Sequence, residues 1–226
     1  MESKYDSFMY YPDYLQKNLF EILDDIFDFS LHNFRRKILA ETEEIIVQLN
    51  YSKEIESDLM SQLIYWMIFC KPIEMENKTI YQHYLFRNKT KMRDKPTPVQ
   101  KVLVNWLFLN PGFYIVESDN SLSGRVYIFR NMLDNRQKLV CVFHTHFQQM
   151  QRGDLITGMV MPMADESHSI LRGFIRIPAP ISKTIVSHIV PHFKKNASSG
   201  NYYANPQLYP SLLNITLKQM ERGKIV

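Results

Sequence analysis

The sequence is short of the features that mark an exported, membrane-spanning or metal-binding chain. Only two cysteines occur, Cys70 and Cys141, far apart and each inside an apolar run. The simplest expectation is a pair of buried thiols in a reducing compartment, not a disulfide. No stretch of about eighteen uncharged apolar residues exists, so no membrane-spanning helix is expected. The start, MESKYDSFMYYPDY, carries acidic residues and tyrosines where a signal peptide needs a basic end and an apolar run, so export is not expected either. Together these absences predict a cytoplasmic protein with no membrane partner.

The marks of catalysis are missing in the same way. There is no nucleophile elbow, no P-loop and no glycine-rich dinucleotide loop after a strand, and Ser, His and Asp cannot be assigned to a triad. The paired carboxylates Asp24-Asp25 and Glu43-Glu44 fall in helical segments and read as solvated faces. The expectation is therefore a non-enzyme that needs no cofactor.

What is present is an ordinary globular composition, 45% apolar and 22% charged in 226 residues, enough to bury a real core. Its charge is unevenly placed. Through Phe86 there are 8 Lys and Arg against 15 Asp and Glu, a balance of −7; from Arg87 onward there are 19 against 8, a balance of +11. Either the basic part meets an acidic partner such as nucleic acid, or the two parts attract each other inside the molecule.

Hydrophobic spacing gives the same division. From Asp13 to about Asn50 apolar residues recur at helical intervals, with Ser30 read as an N-cap at a break between two helices. A further helix is predicted after Ser52, and a short one capped by Thr79. The basic run Lys89, Lys91, Arg93, Lys95 is read as a loop, followed by an amphipathic helix carrying Val99, Val102, Leu103 and Trp106. After the NPG of Asn110 to Gly112 the period turns to β, with short strands closed by Gly, Asn or Asp that predict a small meander or barrel. Within it RGDLITGMVMP, Arg152 to Pro162, is read as a turn at Gly153-Asp154 leading into a strand that Gly158 allows to bend or to approach another backbone closely. An adhesion tripeptide and a phosphate-cradling loop are the readings this displaces. Beyond Pro178 the chain turns helical again. The fold class is thus α+β: a helical N-terminal part over residues 1–95, then a small antiparallel β meander or barrel with flanking C-terminal helices over 96–226, the whole forming one compact unit.

The order LIYWMIFCKPIEMENKTIYQHYL, TPVQKVLVNWLFLNPGFYIVES, NMLDN and MQRGDLITGMVMPMAD resembles the region upstream of the zinc knuckle in bacterial SEC-C motif proteins. In that family a helical part with a tryptophan leads into a small β unit whose last strands open with Gly-Asp-Leu. The likeness spans roughly residues 62–178. No cysteine follows Cys141, so the family's knuckle is absent and zinc binding is not carried over. The resemblance implies an architecture more than an activity.

Three functions follow from the residues. The first is a non-catalytic protein-interaction module that docks on a protein partner. The alternative is a single-stranded nucleic-acid binder using the basic β half, with Tyr114, Tyr127 and Phe129 as stacking surfaces and Arg125, Arg130, Arg152, Arg172 and Arg176 on phosphates. A third, weaker, is a metal-dependent hydrolase built on His144 and His146, two apart on a strand, or on His188 and His192, four apart on a helix. Neither pair has a cysteine or carboxylate cluster beside it, so no metal is expected.

Overall fold

A computed structural model describes residues 13–49, 51–73, 77–119, 124–143, 149–164, 166–197 and 206–223. The first helix, α1 (Tyr14–Gln48), starts where Asp13 and Gln16 satisfy each other's backbone: the Asp13 carboxylate accepts from Gln16 N at 2.7 Å and Gln16 Oε1 accepts from Asp13 N at 3.1 Å. The expected break at Ser30 does not occur. Ser30 is buried mid-helix, and its hydroxyl donates to the Ile26 carbonyl one turn back at 2.6 Å, which satisfies it without ending the helix.

A 3₁₀ turn at Lys53–Ile55 leads into α2 (Glu56–Phe69), with Glu56 and Asp58 in the first turn, where the helix dipole favours negative charge. This helix buries Leu59, Leu63, Trp66, Met67, Ile68 and Phe69, too many directions for a surface helix, and it occupies the centre of the molecule. A two-stranded ribbon, β1 (Pro72–Ile73) with β2 (Lys78–Thr79), precedes α3 (Ile80–Arg87), which Thr79 caps as expected. The basic run is not a loop: Lys89–Arg93 winds into a short helix, α4. Then α5 (Thr97–Asn105) buries Val99, Val102 and Leu103 and delivers Trp106 to the core, where its ring packs with Phe69 and Tyr81 and its Nε1 donates to the Pro162 carbonyl at 3.1 Å.

The β part comprises β3 (Pro111–Asp119), β4 (Val126–Asn131), β5 (Gln137–Cys141), β6 (Leu155–Pro162), β7 (His168–Ile170) and β8 (Ile175–Ile177). Strand order β3-β4-β5-β7-β6, with β6 returning to β3, closes a five-stranded barrel, and β8 lies beside β7 on the same edge of β6. The barrel is mixed and not a simple meander. The β5–β7 pair is parallel, because β7 slots between β5 and β6. Inside sit Tyr114, Val116, Tyr127, Phe129, Val140, Ile156, Val160 and Ile170, while Phe113, Leu155, Met159, Met161, Ile175 and Ile177 join the helical core. Neighbours along β6 therefore face two different cores, which explains why LITGMVM is apolar almost without interruption.

Two C-terminal helices, α6 (Ala179–Asn196) and α7 (Tyr209–Gly223), complete the fold. Asp154 of the turn fastens α6: its buried carboxylate accepts from Arg176 Nε at 2.6 Å, Gln151 N at 2.7 Å and Ala179 N at 3.2 Å. At the meeting point of α2, β6 and α7, the Tyr209 hydroxyl donates to Gln62 Oε1, and Gln62 Nε2 donates to the carbonyls of Thr157 at 2.9 Å and Gly173 at 2.6 Å. All three parts of the chain meet in that one buried network.

Candidate functional site

The aromatic residues expected to stack on bases are not on the surface. Tyr127 and Phe129 are fully buried and Tyr114 is 2% exposed; all three point into the barrel, where they pack on one another with ring centroids about 6 Å apart. Period-2 alternation put them on one face correctly, but that face is the interior. The arginines are also dispersed. Arg130 Nε is bound to Glu117 at 2.6 Å, Arg176 to Asp154 at 2.6 Å, and Arg125 reaches the Val142 carbonyl at 3.4 Å. Arg152 and Arg172 are exposed, in separate turns. The eight residues therefore do not form one surface.

His144 and His146 lie outside the described residues. On α6, His188 Nδ1 donates to the Thr184 carbonyl at 2.7 Å, while His192 Nε2 lies 3.3 Å from Ser211 Oγ. Among the described residues no three metal-ligating side chains cluster.

The arrangement that does stand out is a groove along α1. One cavity of about 510 Å³ is lined by Phe20, Leu23, Asp24 and Phe27 of α1, by Ser61, Ile64 and Tyr65 of α2, and by Phe143, Leu171 and Arg172 from the barrel side. A second, of about 1070 Å³, continues from it. The two share Phe27 and Ile64, and the second adds Leu31, Phe34 and Leu39, with His32, Arg35, Arg36 and Lys37 at its rim. Positions 20, 23, 24 and 27 share a helix face by their spacing, and the lining side chains of Phe20, Phe27, Leu31, Phe34, Ile64 and Tyr65 are half-buried, with part of each ring or branch left open.

Polar groups sit at the smaller end of the groove. Burial pushes the Tyr65 phenol above its ordinary value; Arg172 opposes that shift and Asp24 adds to it, so all three are close enough to interact. The Ser61 hydroxyl donates to the Ser57 carbonyl at 2.9 Å. This lining suits an apolar body with a polar tip.

Sequence reasoning marked these apolar positions as core and missed the groove. A signal was there: Phe20, Phe27 and Phe34 recur every seven residues, a stripe beside the buried one of Leu19, Ile22 and Ile26. Its exposure depends on which neighbours pack against it, and the sequence of α1 alone does not carry that. No protein-family model, no curated protein and no solved structure matches this chain.

Proposed function

We propose that this protein is a non-catalytic protein-interaction module of the cytoplasm whose working surface is the groove between α1 and α2. The observation that carries this is the continuity of the two cavities through Phe27 and Ile64, lined by apolar side chains that the fold leaves half open. The occupant we assign is an amphipathic helix of a partner protein. Phenylalanines at seven-residue spacing over Phe20 to Phe34 run about 21 Å along α1 at 1.5 Å per residue, which suits a second helix laid beside it. Arg35 and Arg36 at one rim favour acidic residues at that end of the partner. Kinship with the region upstream of the SEC-C zinc knuckle belongs to the same proposal and brings no activity with it. Nucleic-acid binding by the basic half is the alternative, and it retains Arg152 and Arg172 as exposed cations.

The test is affinity capture from the source cells with nuclease treatment, comparing the natural protein with Phe27→Glu. Partners lost in the variant, with near-UV circular dichroism unchanged, support the groove. Equal capture by both, or recovery that disappears with nuclease, overturns it.

A further inference from the structure

A second cavity, of about 280 Å³, opens at the barrel mouth far from the α1 groove in sequence and built from different elements. Its wall is formed where β3 and β5 begin and β4 and β6 end. Arg136 and Lys138 line it together with Asn105, Asn110 and Asn131, and among the described residues no carboxylate does. Phe108, 65% exposed, stands at the rim.

Two features of the wall point to a ligand. Asn110 is 6% exposed and its Oδ1 has no hydrogen-bond partner, while its Nδ2 meets the Phe108 carbonyl at only 3.4 Å. A buried acceptor without a partner is destabilising, and since Asn110 Oδ1 is closed to solvent the amide must turn to present it to a donor in the cavity. Lys138, opposite Phe129 in the β4–β5 register, is half-buried, and among the described residues no ion pair holds its ammonium. Burial draws its pKa below the ordinary value, Asp134 raises it and Arg136 lowers it further. An arriving anion would relieve both the desolvation and the repulsion from Arg136.

We propose that this cavity binds a small organic anion, its charge held by Lys138 and Arg136, with an N–H or O–H next to that charge donated to Asn110 Oδ1. The volume suits a single small molecule or the last residue of a peptide, and excludes a helix or a dinucleotide. The inference is independent of the α1 groove.

Titration of the full chain, followed by side-chain amide resonances in ¹⁵N-labelled protein, tests it with four probes. N-acetylglycine carries both the carboxylate and the adjacent N–H, N-acetylsarcosine the carboxylate without that N–H, N-acetylglycinamide the N–H without the charge, and inorganic phosphate a different anion with its own O–H. Saturable binding of N-acetylglycine or of phosphate that moves the Asn110 amide is expected, and which of the two binds identifies a carboxylate or a phosphoryl ligand. Lys138→Met should weaken it on the order of tenfold or more, Arg136→Ala should weaken it too, with thermal melts checking that the fold is kept, and Lys138→Arg should retain it. N-acetylsarcosine should bind less well than N-acetylglycine. No saturable binding of either anion, equal binding of the neutral amide, or unchanged affinity in both Lys138→Met and Arg136→Ala overturns the proposal.

Discussion

At the scale of single residues, burial decides chemistry that composition leaves open. Cys70 is enclosed, its thiol donates to the Leu109 carbonyl at 3.2 Å, and burial pushes its pKa far above the ordinary 9.0; Cys141 is half-buried on the barrel. One thiol, Cys141, should therefore react with a disulfide reagent in native protein at about pH 8, and both in denaturant. Reaction of both in the native state would contradict the packing around Cys70. Burial also raises the phenols of Tyr81 and Tyr209, and that of Tyr84 to about 12. An acid raised on folding keeps its proton in the folded state while the unfolded state ionises. Its contribution is present below the unfolded value and lost as pH rises past it, so the melting temperature should fall from about pH 9 upward. Asp154 belongs to this scale too. In a buried ion pair and bound to the turn and to α6, it cannot serve as an adhesion residue, and the RGD string is a structural turn.

Elements obeyed their local signals where those signals were satisfied locally. Asp13 with Gln16 and Thr79 with Gln82 both form capping boxes, and α3 and α7 run where periodicity placed them. Ser30 misled because a serine hydroxyl can bond back to the carbonyl four residues earlier as readily as it can cap, and only the packing around it chooses. The two glycines of the turn before β6 and of β6 itself, Gly153 and Gly158, hold the places their sequence context predicts. Gly153 has φ +91°, and a Cβ there would sit 3.1 Å from Ala179 Cβ; at Gly158 a Cβ would meet Phe174 Cβ at 3.0 Å and its Cα at 3.2 Å. Replacing either by Val should cost about 1–3 kcal/mol, a fall of roughly 2–4 °C in melting temperature per kcal/mol for a chain of this size. Thermal melts in which neither variant moved would remove the case for the turn and the close approach.

Across the whole molecule, the charge split is answered in part from within. The basic segment after Phe86 lies on the acidic helix: Lys91 pairs with Asp25, Arg87 Nη1 donates to Asn33 Oδ1 at 3.1 Å, and Lys95 Nζ donates to Asn18 Oδ1 at 3.1 Å. Of these cations Lys91 has its charge compensated by a carboxylate, while the other two are positioned by neutral amides, so the internal contacts tie the segment to α1 and lessen the charge it offers a phosphate backbone. With its aromatic platform inside the barrel, the protein should bind a mixed single-stranded oligonucleotide more weakly than about 10⁻⁶ M at about 150 mM salt. Fluorescence anisotropy across a salt series measures this. Submicromolar binding that weakens on changing Arg125, Arg130 and Arg152 to Ala would restore the alternative and make the barrel the working surface.

The amino-acid order by itself determined the α+β division, the position of most helices, the strand character of the described segments β3 to β8 and the turn at Gly153, because caps, glycine conformations and hydrophobic periods act over a few residues. It could not determine which strand lies beside which. A period of two is satisfied by any pairing, and the parallel contact of β5 with β7 joins residues close to thirty positions apart. Nor could it tell an apolar stripe that is covered from one that is not. Tyr127 and Phe20 are both large, apolar-bodied residues at regular spacing, yet the barrel closes over the first and α2 stops short of enclosing the second. Exposure depends on what the rest of the chain brings alongside, so the two candidate binding surfaces became visible only when the elements were assembled.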